Sequence, residues 1–218
     1  MFKHILIVES LDSILLGLTT ALQNNFAAQI DTALNGDAGI EKIKKAVHEN
    51  GYDLIITGLD YANPETVESG EAFIDAARAV LPGVKAMVYS NDTRPYRIHK
   101  LFHNHKVNAF VAHSPDSMPQ VIDALKMISK SEVIFVSPRY LPFHENNLGI
   151  ELSDFDIRLL RHLSAGKSQP EISRIFTDEG IAHASVSTIE KRINKLRYQL
   201  DAKNTIHLIT IAKEAGVI

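Results

Sequence analysis

The chain contains no cysteine. Disulfides, thiolate zinc sites and cysteine nucleophiles are therefore excluded together. A long apolar run is also missing from the first residues, because Ile5-Leu-Ile-Val8 is closed by Glu9. Such a run is too short for a secretion signal or a bilayer span, so the expectation is a cytoplasmic protein with no membrane partner. There is no glycine-rich phosphate loop, no internal repeat and no low-complexity tract, and neighbouring residues offer no readable nucleophile–base pair. The expectation is a protein that is not an enzyme and carries no cofactor. A strong excess of either charge is absent too, the net charge being −3 over 218 residues. The balance is uneven, however: residues 151–218 hold 10 Lys and Arg against 9 Asp and Glu, whereas residues 1–150 hold 13 against 17. A surface for nucleic acid must then be a local stripe, with moderate affinity from one protomer. With 45% apolar residues, the chain has the composition of a folded protein of one large or two small domains.

What is present begins with alternation. Short apolar runs at His4–Val8, Ala28–Leu34, Asp53–Thr57, Val84–Ser90 and Ala109–Ala112 predict strands. Amphipathic segments at Leu11–Gln23, Ala38–Glu49, Gly70–Val80, Pro95–His103 and Ser117–Ile128 predict the helices between them. Asn35-Gly36 and Pro82-Gly83 supply turn signals. This order predicts a flavodoxin-like (βα)5 domain over residues 1–130, an α/β fold whose ligands sit at the carboxyl ends of its strands. Val133-Ile-Phe-Val-Ser137 reads as an added extended piece, and Pro138–Gly149 is rich in turn formers, so residues 131–150 are assigned to a linker. Residues 151–218 form a small all-α domain.

Within that domain, Ser185–Leu200 carries the most functional information. Ile189, Ile193, Leu196 and Leu200 have the spacing of one helical face. At about 100° per residue, Lys191, Asn194, Lys195 and Tyr198 fall on the opposite side, flanked by Thr188 and Arg192. Ser185 and Ser187 can both cap the start, and Ser187 with Glu190 has capping-box spacing. A helix with one buried side and one basic side suits a DNA major groove, where cations meet phosphates and an amide or guanidinium reaches base edges. A solvated amphipathic helix would look similar on this segment alone.

The surroundings add to it. Ala165 and Gly166, Glu171 and Ile172, Ser185 through Ile189, and Leu200 fall in the order and positions of the LuxR-type helix-turn-helix, which this region resembles as it occurs in NarL/FixJ-like response regulators. Two departures stand out: Glu190 replaces the family's usual lysine, and the turn Thr177–Ala182 before the recognition helix is longer than usual. The first 130 residues in turn resemble a response-regulator receiver domain, through Ile5-Leu-Ile-Val-Glu9, Ala33-Leu-Asn-Gly36, Tyr52–Thr57, Met87-Val-Tyr-Ser90 and Asn108–Ala112. The resemblance implies a phosphorylation pocket at the strand ends, and here that pocket is degenerate. Gly58 stands at the acceptor aspartate's position, and the acidic pair that would hold Mg²⁺ is Glu9 followed by Ser10. Ser90 keeps the switch position, while His113 replaces the lysine.

Asp60, two residues past the acceptor position, reads as a surface loop acid, and His99, His103 and His105 read as solvated histidines without a metal. The resulting expectation is a DNA-binding transcriptional regulator with a receiver controlled independently of phosphate. Its partners would be double-stranded DNA, a second copy of itself, and a small-molecule or protein effector at the receiver. The last helix, near Thr205–Ala215, offers Ile206, Ile209, Ile211 and Ala212 both for its own core and for that second copy. An alternative remains open on Glu190 and the long turn: a protein-interaction adaptor whose helix-turn-helix no longer binds DNA. A phosphorelay carrier is disfavoured by Gly58.

Overall fold

The structure is a computed structural model and describes residues 1–48, 51–62, 64–141 and 152–218. Two compact units are present, one built on a sheet and one on the C-terminal helices. In chain order the elements up to the sheet's last strand are β1 (His4–Val8), α1 (Asp12–Asn25), β2 (Gln29–Ala33), α2 (Gly36–Ala46), β3 (Leu54–Thr57), α3 (Gly70–Val80), β4 (Lys85–Ser90), α4 (Pro95–His103), β5 (Ala109–Ala112), α5 (Ser117–Ile128) and β6 (Phe135–Val136). All belong to the first unit except Arg94–His99, which group with the second. The strands lie in the order β2-β1-β3-β4-β5-β6, every pair parallel. This is the doubly wound sheet expected from the alternation.

Burial explains which runs became which strands. β3 and β5 are buried along their whole length, as strands covered on both faces must be. At the edge, β2 is mostly part-exposed and accommodates Asp31 and Thr32. Ile7, Leu54, Ile56, Met87 and Val111 from the sheet pack with Leu18, Leu22, Val121 and Leu125 from α1 and α5 in one apolar cluster. Asn35 caps α2 by accepting from the Ala38 backbone N–H at 2.9 Å.

The linker assignment needs a correction at its start. Phe135 and Val136 pair with Ala109 and Phe110, so residues placed in the linker add a sixth strand to the sheet. Two residues of strand are too few to produce a readable alternation. Pro138–Tyr140 then form a short 3-10 turn. The rest of the assigned linker from Pro142, with Glu151, the expected helix end at Glu49, and Asn63 in the loop after the acceptor position, lie outside the described residues.

A close backbone approach shapes the strand-end region. A Cβ on Gly70 would stand 2.0 Å from the Gly58 carbonyl oxygen, and the Gly70 N–H donates to the Leu59 carbonyl at 2.9 Å. The start of α3 is thereby laid against the end of β3, which only a residue without a side chain permits. Gly70→Ala is expected to cost about 3 kcal/mol, since the obstacle is backbone and cannot swing aside. Urea unfolding followed by far-UV circular dichroism measures it, and an unchanged midpoint would mean the approach is not fixed.

The C-terminal helices of the second unit are α6 (Asp154–Ser164), α7 (Gln169–Asp178), α8 (Val186–Gln199) and α9 (Thr205–Glu214). Leu159, Leu160, Ile172, Phe176, Ile189, Ile193, Leu196 and Leu208 form its core. Capping boxes start α6 (Ser153 with Asp156) and α7 (Ser168 with Glu171). α8 is capped by Ser185, whose Oγ accepts from the Thr188 N–H at 3.2 Å. The alternative cap at Ser187 is not used, because that residue already lies inside the helix. The turn before α8 starts later than expected: Thr177 and Asp178 belong to α7, and the helix stops where Gly180 takes a φ of +73°. No helix among the described residues is long and apolar enough to cross a membrane.

Candidate functional site

α8 turns Ile189, Ile193 and Leu196 into the core. Glu190, Lys191, Asn194, Lys195 and Tyr198 are exposed, Tyr198 to 89%, while Thr188 is half-buried beside the cap with its Oγ1 2.9 Å from Ser185 Oγ. Asn194 Oδ1 accepts from Arg197 at 3.3 Å, which leaves the Asn194 amide nitrogen as an outward donor. Arg197 also donates to the Lys203 carbonyl at 2.8 Å and so ties the end of α8 to the next turn.

Arg192 departs from its expected role. Its guanidinium donates through two nitrogens to the two oxygens of Asp156, a carboxylate with no exposed surface. Two of the five guanidinium N–H groups are committed to this carboxylate. Burial alone would push the Asp156 carboxyl up, but the Arg192 hydrogen bond and those from Ser153 outweigh it and hold the group below the usual carboxylate range. The same hydrogen bond raises Arg192. Arg192 is thus a structural tie between α8 and α6. Asp156 escaped sequence reasoning although it left a signal: its Ser-x-x-Asp spacing from Ser153 sits beside the apolar pair Leu159 and Leu160.

At the carboxyl ends of β1, β3, β4 and β5, a cavity of about 260 Å³ is lined by Glu9, Ser10, Gly58, Asp60, Ser90 and His113, among others. The five residues of the degenerate pocket thus lie together. Glu9 is only 6% exposed, and its Oε1 accepts from the Leu11 N–H at 2.9 Å. Its Oε2 lies 2.7 Å from where a Cβ on residue 58 would stand, so the glutamate has moved into the space of the missing acceptor side chain. Ser90 Oγ accepts from the Asp92 N–H at 3.1 Å. The His113 ring is tilted against Tyr89 with centroids 4.2 Å apart. Burial lowers its pKa, against the opposing charge of Glu9 and a hydrogen bond to the Tyr89 backbone. His113 is therefore neutral near pH 7 and does not replace a lysine's charge.

Asp60 is exposed at the rim, where its backbone bridges Ser69. Beneath it, Tyr61 is buried with its hydroxyl on Thr57 Oγ1, and burial drives the phenol well above its ordinary pKa. The residues do not fit the Mg²⁺ ion of a working receiver. Ser10 and Gly58 supply no carboxylate, and no group of three His, Asp or Glu among the described residues is placed to hold a metal. Of the three histidines, His105, just past the end of α4, is not merely solvated, since its Nδ1 lies 2.9 Å from the Asp75 carboxylate.

No family model matches the sequence, and no curated protein matches it either. Solved structures do. RcsB from Salmonella typhimurium matches with a TM-score of 0.71 at 16% identity, covering 97% of this chain and 99% of that one. RcsB solved as two dimers bound to two parallel DNAs matches at 0.67 and 16%, over 97% and 98% of the chains. The two-component response regulator RcsB in complex with DNA matches at 0.69 and 16%, over the same shares. RcsB is a NarL/FixJ-family response regulator with a receiver and a helix-turn-helix. The fold is that of a NarL/FixJ-type response regulator. The sheet unit with the Glu9–Gly58 pocket has the receiver fold, and the unit that presents α8 is the helical C-terminal part.

Proposed function

We propose that this chain is a cytoplasmic DNA-binding transcriptional regulator, without enzymatic activity, that binds double-stranded DNA as a homodimer. One observation carries the reading: α8 is anchored from behind by Ile189, Ile193, Leu196 and the Arg192–Asp156 pair, while Lys191, Asn194, Lys195 and Tyr198 face outward. Lys191 and Lys195 would meet phosphates, Asn194 would read a base edge, and Thr188 and Tyr198 would flank the contact. Dimerisation is supported by α9, which packs Leu208 and Ala212 inward and leaves Ile206 76% exposed. Two linked modules of modest charge bind far more tightly than one. Fluorescence anisotropy with random-sequence duplexes, followed by selection of bound fragments, tests the reading. Binding that weakens steeply with salt, on sites with two-fold symmetry, is the expected result. Glu190, exposed on the same face, favours the adaptor as a second reading, to which an absence of salt-dependent binding would turn.

The receiver is, on this reading, a control domain that works without phosphoryl transfer. Transfer needs a carboxylate in reach of phosphorus and a cation to offset gathering charge. Gly58 supplies neither nucleophile nor metal ligand, and His113 is held neutral by burial. Acetyl phosphate or a beryllofluoride mimic with Mg²⁺ is expected to change neither mass, oligomeric state nor DNA affinity. An acid-labile adduct lost in Asp60→Ala would reverse this and assign the acceptor role to Asp60.

A further inference from the structure

The receiver cavity has the wrong polarity for an anion. Among its lining residues are two acids, Glu9 and Asp60, and neither Lys nor Arg. Glu9 is nearly buried, and both of its hydrogen bonds, from the Leu11 N–H at 2.9 Å and the Ser10 hydroxyl at 3.5 Å, reach Oε1. Among the described residues, no donor reaches Oε2. A second unmatched atom belongs to the same lining: His113 Nε2 is buried without a partner. In the neutral ring that carries its proton on Nδ1, Nε2 has a free lone pair. Nε2 is then an acceptor. A carboxylate oxygen without a protein donor and an imidazole nitrogen without a partner both suit hydrogen-bond donors, and the carboxylate calls for a positive one.

The donor's shape follows from what is already occupied. A guanidinium engages a carboxylate best through both oxygens, and here Oε1 is taken by Leu11. An ammonium is a point donor and needs only Oε2. The remaining lining includes Leu11, Ile14, Leu59 and Tyr89, an apolar wall for an alkyl stem. About 260 Å³ is ample for a molecule of a few carbon atoms.

We propose that the receiver cavity is a binding site for a small primary alkylamine, its ammonium on Glu9 Oε2 and its stem against Leu11, Ile14 and Tyr89. The inference rests on the reading that the pocket is not a phosphoryl acceptor, and names the effector class that takes the phosphoryl group's place. Glu9 is the specificity residue, and Gly58 gives its carboxylate room.

The test uses the full chain with n-butylammonium as probe and 1-butanol as its neutral counterpart, followed through the amide NMR signals of Leu11, Gly58 and Ser90. Saturable shifts at millimolar butylammonium, absent with butanol, are expected. Glu9→Gln should weaken the interaction about tenfold or more, since it keeps the shape and removes the charge. Gly58→Ala is the second variant, needed if Glu9→Gln does not fold; its methyl would displace Oε2 and should weaken binding likewise. Equal shifts with butanol, no saturable shift, or unchanged affinity in the folded variants would overturn the proposal. A parallel sample with acetyl phosphate and Mg²⁺ separates the two levels. A phosphoryl adduct brings down the phosphate-independent reading and this site with it, whereas no adduct and no butylammonium binding bring down the site alone.

Discussion

Asp156→Ala is expected to lower the stability of the helix-turn-helix unit by about 3–5 kcal/mol, the range for removing one partner of a buried ion pair. Such a loss approaches the whole stability of a small domain, roughly 5–15 kcal/mol. Three things disappear together: the reciprocal cap on Ser153, the counter-charge of Arg192, and the tie between α6 and α8. Arg192 would be left with a charge that is three-quarters buried and has no acceptor. Asp156→Asn keeps the volume and part of the hydrogen bonding, and is expected to cost less. The pH dependence follows from the direction of the shift. Because the folded Asp156 carboxyl lies below its unfolded value of about 3.9, its contribution is present above that pH and is lost as pH falls through the folded value. Urea titrations at neutral pH and below pH 4 should show the wild-type advantage over Asp156→Asn shrinking on acidification. A gap that stays constant would mean the carboxylate's charge is not what stabilises the unit.

Lys191→Ala with Lys195→Ala is expected to flatten the salt dependence of duplex binding by about 1.8 in slope, about 0.9 for each phosphate contact removed. Both residues are exposed and neither belongs to the α8 core, so unfolding should be unaffected. That makes the pair a test of contact rather than of folding. Asn194→Ala should instead narrow the gap between preferred and random sequence by about 1–3 kcal/mol, with little change in slope. Glu190→Lys should tighten binding to all sequences, because it replaces a charge that phosphates repel. Anisotropy at several salt concentrations measures all three. An unchanged slope in the double variant would remove this face of α8 from the interface, and weaker binding by Glu190→Lys would mean that Glu190 makes a favourable contact.

Much of the fold was readable because its elements announce themselves locally. Runs such as Ile5–Val8 and Leu54–Ile56 have the continuous apolar character of strands buried on both faces, and the observed bounds differ from the expected ones by a few residues at most. β6 was readable as an extended piece within Val133–Ser137, but its membership of the sheet was not, since that depends on pairing with β5. Arg192 shows a different limit. A helical projection gives the direction in which a side chain leaves the backbone, not where a long one ends, and Arg192 reaches back to a carboxylate 36 residues earlier. The pocket divides in the same way. That Gly58 lacks a nucleophile was evident from one residue, whereas the placement of Glu9 over Gly58 depends on β1 and β3 running side by side, with Val8 opposite Thr57.

The seating of Glu9 over Gly58 also makes the loss of the acceptor hard to reverse by mutation. A single change of Gly58 to aspartate would place a second carboxylate against the first, in space Glu9 Oε2 already fills. Glu9 would have to give up its hydrogen bond from Leu11 and turn away before the new side chain could point into the cavity. The route back to a phosphorylatable receiver therefore passes through at least two coordinated substitutions, with a strained, doubly negative intermediate between them. Each substitution alone is expected to be worse than the chain as it stands, so this pocket has a direction of change built into it.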